Sequence, residues 1–295
     1  MRIEIKRLSD CPLNDGVEAY NRGFEGYFYD QTKDIDSFSK RFGLDELCPE
    51  YSVLAYYEGR PAGIVLSGIK NINGKLVAWN GGTGVAKELR GKGAGKKLMN
   101  AVMDIYRENK VETATLEAIS RNEGAIELYK KIGYDVKKRL KFLQFNEVLY
   151  AEVFDTPNSK YQIEYVSPQE LTGIPFYQHQ SPWQNQNLHD ASAIVLHDEH
   201  NQIAGYSLYK KMYKEGEIAS IGLLQLEAAE NRSDSADIIK TLLKHSFFPL
   251  NRAFQRTTVN TPDDKTQLLE VLQECGFKEW EEQVWMVKDL GAEKA

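Results

Sequence analysis

The chain has 295 residues, enough for two domains of ordinary size, and its 42% hydrophobic and 27% charged residues are typical of a soluble globular protein. No apolar run approaches the roughly 18 residues of a membrane span, and residues 1–10 lack the apolar stretch of a signal peptide, so we expect a cytoplasmic protein without a membrane partner. The three cysteines are an odd number without paired spacing, which argues against a disulfide framework or a metal site.

The net charge of −6 is unevenly divided along the chain. Residues 1–150 hold 24 Lys and Arg against 21 Asp and Glu, a balance of +3, whereas residues 151–295 hold 13 against 22, a balance of −9. An acidic second half argues against nucleic acid as a partner. It suits a cationic substrate, or it is simply a solvated surface.

The first third of the chain reads as short strands and helices. The helix predicted near residue 20 breaks at Gly23 and Gly26. After it come Tyr27, Phe28 and Tyr29, which either line a pocket or pack under the helices. The predicted elements are a strand at 1–8, helices at 17–26 and 34–42, and a hairpin with strands at 51–57 and 62–69.

The stretch from Asn80 to Met99 carries the strongest pattern. A strand at 75–85, with a bulge expected at Gly81-Gly82, leads to a glycine loop that opens an amphipathic helix. Alternate glycines leave the backbone bare, so several N–H groups can converge on an anion at the positive end of the helix. The loop, which basic residues surround, therefore predicts a phosphorylated ligand, with a diphosphate favoured; it reads Arg90-Gly91-Lys92-Gly93-Ala94-Gly95-Lys96.

Two better-known phosphate loops do not fit this spacing. A Walker loop requires Ser or Thr after its Lys to hold magnesium, and Lys97 follows Lys96 here. A dinucleotide fingerprint requires G-x-G-x-x-G, and this loop is G-x-G-x-G. A basic glycine loop without any ligand is the remaining alternative.

A second motif follows about thirty residues later. A short strand at 115–119 precedes Asn122, and a helix predicted at 123–132 carries Tyr129 and ends at Gly133, where a C-cap glycine belongs. Together, Arg-x-x-Gly-x-Gly after a strand ending in Val85 and N-x-x-A-x-x-x-Y-x-x-x-G-[FY] resemble the two signatures of the GNAT superfamily of acyl-CoA N-acyltransferases. The resemblance covers most of residues 1–150.

This resemblance implies an α/β (α+β) GNAT fold, in which a mixed central sheet, flanked by helices, splays between its fourth and fifth strands. It also implies acetyl-CoA (coenzyme A) as co-substrate, without a metal. Its pantetheine arm would lie in the splay, and the residues expected to bind the cofactor are Thr83, Val85, Arg90, Gly91, Lys92, Gly93, Ala94, Gly95, Lys96 and Asn122.

Two side chains are candidates for proton transfer. A lysine-like amine has a pKa near 10.4, so presenting it neutral at pH 7 costs roughly 4 to 5 kcal/mol, and the leaving thiolate needs a proton. The run from Glu117 to Asn122 resembles that of the ribosomal-protein alanine acetyltransferases, which implies Glu117 as base and Tyr129 as acid. The alternatives are a solvated strand residue for Glu117 and a core aromatic for Tyr129.

The second half repeats the first in outline, which predicts tandem GNAT-like domains at 1–155 and 156–295, joined by a linker at 156–159. The second copy has Glu230–Ser235 in place of the glycine loop and Leu272 in place of Tyr129. It is therefore expected to be degenerate, with packing, homodimer formation or completion of the substrate pocket as its role. His197 and His200 fit a polar turn better than a metal site.

The function predicted is an acetyl-CoA-dependent N-acetyltransferase, in which a primary amine attacks directly within a ternary complex. The alternative from another class is a non-catalytic acyl-CoA-binding regulatory or scaffold protein, and an O-acyltransferase or a longer acyl chain also stays open. The acceptor, a small-molecule amine or a peptide amine, is not determined by these motifs.

Overall fold

The computed structural model describes residues 2–156 and 161–291. Contacts divide the chain into two units, Met1–Lys137 with Trp285–Ala295, and Lys138–Val284. This division differs from the predicted boundary at residue 155, because residues 138–155 belong to the second unit and the chain from Trp285 onward belongs to the first. Most of the predicted linker, residues 157–159, lies outside the described residues.

The first unit alternates strands and helices much as the sequence predicts. Asp34 caps the second helix by accepting the Ser37 N–H at 2.7 Å, and Gly133 ends the fourth at φ 97°. The elements are β1 (Ile3–Arg7), α1 (Leu13–Phe24), α2 (Ile35–Leu44), β2 (Val53–Tyr57), β3 (Arg60–Ile72), β4 (Lys75–Val85), α3 (Ala94–Glu108), β5 (Thr113–Ile119), α4 (Glu123–Ile132) and the start of β6 (Asp135–Phe145).

The sheet of the first unit runs in the order β1-β2-β3-β4-β5, and β5 then pairs with the last strand of the chain, β13 (Lys278–Asp289). Among strands β1 to β5, the pairs β1–β2, β2–β3 and β3–β4 are antiparallel, and the pair β4–β5 is parallel. Helix α3 buries one apolar face, as its periodicity predicts. Its buried residues include Leu98, Met99, Val102, Met103 and Ile105.

The predicted break in helix α1 at Gly23 is wrong, because the helix continues to Phe24. A Cβ at Gly23 would lie 2.7 Å from the carbonyl carbon of Gly84 in β4. The glycine is therefore required for close approach between helix and strand, and not for a turn. This contact brings the end of α1 onto the end of β4.

The second unit has the same strand order as the first, which confirms the predicted duplication. Its elements after β6 are a 3-10 turn (Ala151–Phe154), β7 (Gln162–Val166), β8 (Ala191–His197), β9 (Ile203–Lys214), β10 (Glu217–Ala228), α5 (Ser235–Ser246), β11 (Gln255–Thr258), β12 (Thr261–Pro262) and α6 (Thr266–Glu274). The sheet runs β7-β8-β9-β10-β11-β6, with a parallel pair between β10 and β11. Within the described ranges, none of the helices has the length and apolar character needed to cross a membrane.

Candidate acetyl-transfer site

Strands β4 and β5 separate part-way along their length. They pair only where 77–80 of β4 meets 113–116 of β5. Beyond Asn80, the β3–β4 register shifts between Leu66 and Ser67, which places the predicted bulge at Gly81. A Cβ at Gly81 would lie 2.5 Å from a methyl carbon of Leu47, so any larger residue at the bulge would displace the Leu47 side chain. The result is a gap between the end of β4 and the end of β5, which we call the β4–β5 gap.

Backbone amides of β4 face this gap. The Ala86 N–H donates to the Ala62 carbonyl on the β3 side at 2.9 Å. Successive N–H groups of a strand alternate in direction, so Gly84 also points toward β3. The amides of Thr83 and Val85 therefore point the other way, into the β4–β5 gap.

Tyr129 reaches the same gap from helix α4. Its side chain is only 6% exposed, and its hydroxyl lies beside the side chain of Thr83. The Thr83 hydroxyl accepts a hydrogen bond from the Asn80 amide at 2.7 Å. Burial raises the pKa of Tyr129 to about 12, with a smaller raising contribution from Tyr27, while the nearby Thr83 side chain lowers it. Tyr129 is thus a protonated donor at neutral pH.

Glu117 lies on the opposite strand of the gap. It follows Leu116, the last β5 residue that pairs with β4, and its side chain is partly buried between buried neighbours. A carboxylate at this position can act as a proton acceptor at the border of the gap. The structure thus brings both predicted proton-transfer residues to the strands and helix that border one gap.

The glycine loop lies where β4 leads into α3. Gly91 and Gly93 have φ of 74° and 83° with open space around each, and a Cβ at Gly95 would lie 3.0 Å from Leu128. Gly93 is the N-cap and offers no side chain, so the first N–H groups of α3, including Ala94, have no partner within the helix. Bare amides beside exposed lysines are the chemistry that a diphosphate requires, so the loop and the gap fit the cofactor that the sequence implies.

Arg90 has a different environment from the one predicted. Its guanidinium donates to the carbonyl groups of Val85 at 2.9 Å, Gly23 at 3.1 Å and Glu25 at 2.7 Å. It therefore connects the loop to the end of α1. Asn122 likewise has a local partner, since its side chain accepts the Ala125 N–H and caps α4. Contact of either side chain with a cofactor stays a prediction.

Sequence reasoning missed Arg121, which precedes Asn122. Its guanidinium carbon lies 4.6 Å from the centre of the Phe28 ring and 5.7 Å from that of Tyr29, and it donates to the Tyr29 hydroxyl at 2.9 Å. The residues are more than ninety positions apart, so no local pattern signals the pairing. The contact nevertheless places two of the three aromatic residues beside the α4 N-terminus.

The second unit has a comparable separation of strands, but its own side chain spans it. Strands β10 and β11 pair only where 220–223 meets 255–258. Beyond this point the Asn185 amide donates to the Leu224 carbonyl and, at 2.7 Å, to the Val259 carbonyl. Asn185 is 3% exposed and comes from a 3-10 turn, which the sequence did not signal.

The counterpart of the glycine loop in the second unit also differs. Arg232 pairs at 2.8 Å with both Asp198 and Asp234, which satisfies its charge. The cavity beside it measures about 290 Å³ and includes the ion pair of Glu227 with Lys265 in its lining. This arrangement agrees with the predicted degeneracy of the second copy.

Comparison with known proteins identifies the first unit. Residues 13–134 match the family model described as Acetyltransferase (GNAT) family. Over these residues the chain is similar to the GNAT family of acetyltransferases. The chain is also 28% identical over 143 residues to an uncharacterized N-acetyltransferase of Methanocaldococcus jannaschii, a match that covers 46% of this chain and 62% of that relative. The chain thus spans less than two thirds of that relative's length.

Solved structures extend the GNAT fold over both units. A GCN5-related glucosamine N-acetyltransferase region of a fungal multi-domain GH3 beta-N-acetylglucosaminidase has a TM-score of 0.70 at 15% identity, covering 97% of this chain and 38% of that one. A tandem GNAT protein from the clavulanic acid biosynthesis pathway has a TM-score of 0.62 at 12% identity, covering 98% and 99%. At such identities the likeness shows the fold alone, which is the predicted tandem GNAT architecture.

Proposed function

We propose that the N-terminal GNAT unit transfers an acetyl group from acetyl-CoA to a primary amine. The observation that carries this proposal is the β4–β5 gap, which combines inward backbone amides, a buried tyrosine hydroxyl and a carboxylate. The family match supports acyl transfer in general, and the donor and acceptor are the proposed part. Acetyl-CoA would be held by the loop at residues 91–96 and by the amides of Thr83 and Val85.

The residues of the gap divide the chemistry between them. Bound acetyl-CoA supplies a thioester whose carbonyl carbon is the electrophile. The Thr83 and Val85 amides donate hydrogen bonds within the gap and so stabilise negative charge on a carbonyl oxygen. Glu117 accepts the proton that the amine nitrogen loses as its bond to carbon forms, and Tyr129 donates a proton to the sulfur as the carbon–sulfur bond breaks. This scheme is direct attack without an acyl-enzyme.

A non-catalytic acyl-CoA-binding protein is the second candidate, because the glycine loop alone would serve it equally well. The two candidates differ in turnover. Retention of both Glu117 and Tyr129 at the gap favours the enzyme, since neither group is needed for holding a diphosphate.

The test combines calorimetric titration of the full chain with acetyl-CoA and a thiol-release assay across a panel of small-molecule and peptide amines. Binding with thiol release for one class of amine would support the enzyme and name its acceptor class. Binding without release for any amine would favour the regulatory or scaffold protein. Absence of binding would refute both.

A further inference from the structure

Two arginines hold the same short segment of the first unit. We define residues 24–29 as the acceptor wall, since they follow α1 and contribute Tyr27, which lies close enough to Tyr129 to affect its pKa. Within this wall the Phe24 and Tyr27 rings are 5.4 Å apart, and those of Tyr27 and Phe28 are 5.1 Å apart. The wall is therefore a run of touching aromatic rings that leads from the end of α1 toward the β4–β5 gap.

Each arginine lies at a segment that the family resemblance assigns to the cofactor, because Arg90 opens the glycine loop and Arg121 adjoins Asn122. Arg90 begins the glycine loop and donates to Gly23 and Glu25 at the start of the wall. The carbonyl groups in the last turn of a helix lack intrahelical partners, and a cation satisfies them favourably. Arg121 immediately precedes Asn122 and holds the far end of the wall through Phe28 and Tyr29.

We infer that Arg90 and Arg121 are positioning residues that couple the cofactor loops to the acceptor wall, so that acetyl-CoA binding orders the surface on which the amine binds. This inference rests on the proposed function. Its physical basis is that a ligand which restrains the two loops also restrains the segment that both loops hold, and a second ligand then loses less conformational freedom on binding. Cofactor and amine should consequently bind with positive coupling.

Arg121 is the better residue to vary, because it is exposed and contacts the wall through the side chains of Phe28 and Tyr29, whereas Arg90 also contacts the backbone of β4. Arg121→Ala removes both the ring contacts and the hydrogen bond. Arg121→Lys keeps a cation over the rings and should restore part of the effect. Arg107→Ala is the matched control, since Arg107 pairs with Asp104 on an exposed turn of α3.

The experiment is hydrogen–deuterium exchange of the full chain with and without saturating acetyl-CoA, with binding measured separately by calorimetry. We expect acetyl-CoA to slow exchange of the amides at 25–29 at least 5-fold in the native chain and in Arg107→Ala. The slowing should be lost in Arg121→Ala and partly restored in Arg121→Lys. Once an amine is found, Arg121→Ala should raise its KM about 10-fold with kcat changed less than 2-fold.

Two outcomes would overturn the coupling while leaving the proposed function intact. One is acetyl-CoA binding without any change in exchange at 25–29. The other is equal slowing in the native chain and in Arg121→Ala, which would indicate direct contact of the cofactor with the wall. Failure of acetyl-CoA to bind the native chain would instead refute the proposed function, and the coupling with it.

Discussion

Tyr129 retains its proton throughout the neutral pH range, because burial raises the pKa of its hydroxyl to about 12. A group that must donate a proton to a leaving sulfur has to be protonated beforehand, and this environment ensures that it is. The same burial makes the residue part of the core, so its chemical and structural roles have to be separated by experiment.

Tyr129→Phe is expected to lower kcat about 100-fold while leaving acetyl-CoA affinity within 2-fold, since the ring is kept and only the proton donor is lost. Steady-state kinetics and calorimetry measure the two quantities. Tyr106→Phe is the control: its hydroxyl contacts Ser67 at 2.6 Å in the core, and its loss should cost about 1 kcal/mol of stability without affecting kcat. An unchanged kcat in Tyr129→Phe would leave Tyr129 as a core residue.

The buried tyrosines also predict that the folded protein loses stability at alkaline pH. The pKa of Tyr129 is raised to about 12 by burial, and burial raises those of Tyr106 and Tyr134 as well. In the folded protein these pKa values lie above the value near 10 of a tyrosine in the unfolded chain, so the unfolded chain loses its protons first as the pH rises. The free energy of unfolding is therefore unaffected below about pH 10 and decreases above it. For Tyr129 alone the loss approaches about 3 kcal/mol near pH 12. Urea unfolding at pH 8, 10 and 11 measures it, and constant stability across this range would contradict the burial.

At the scale of the element, the glycine loop combines two requirements in five residues. Gly91 and Gly93 supply left-handed backbone, and Gly95 allows α3 to approach Leu128 of α4. The loop geometry and the helix packing are therefore coupled, and the bare amides at the start of α3 result from both.

Gly93→Glu should weaken acetyl-CoA binding at least 10-fold, or about 1.4 kcal/mol, because it puts a carboxylate beside the amides that would receive the diphosphate. Gly74→Glu is a matched control: Gly74 has the same φ of 83° and equally open surroundings, but it lies in the turn at the other end of β4. Both variants carry the same backbone strain and added charge. Calorimetric affinities that fall equally in the two would argue against the loop as the binding site.

In the second unit, the Asn185 side chain connects the two strands that separate. Asn185→Ala would leave the buried carbonyl groups of Leu224 and Val259 without this donor, at a cost of about 2 kcal/mol in the free energy of unfolding. Chemical denaturation measures the change, with the exposed Asn146→Ala as control. A change below about 0.5 kcal/mol would mean that water replaces the amide freely.

At the scale of the whole molecule, the two units share a strand order and differ in what fills the separation between the parallel strands. The first has bare amides and a glycine loop. The second has the Asn185 amide across its strands and Arg232 neutralised by two aspartates. The duplication has thus kept the scaffold and changed the site.

We therefore expect one acetyl-CoA to bind per chain. Calorimetric stoichiometry of the full chain measures this number, and Gly93→Glu should abolish or weaken that single event without revealing another. A stoichiometry of two would show that the second unit opens its strand separation to the cofactor. A homodimer and a cytoplasmic location both stay predictions.

The sequence alone determined the features that depend on neighbours along the chain. Helix α4 with its Gly133 cap, the amphipathic face of α3, the glycine loop and the duplicated order of elements all follow from spacing and local backbone preference. Tertiary structure alone decided the features that depend on residues distant in sequence. Gly23 serves contact with Gly84, Arg90 and Arg121 hold the acceptor wall, Asn185 spans the strands of the second unit, and β13 returns to the first. A guanidinium or amide group can donate hydrogen bonds to many different acceptors equally well. Its neighbours in the sequence therefore do not specify which acceptor lies beside it in the folded chain.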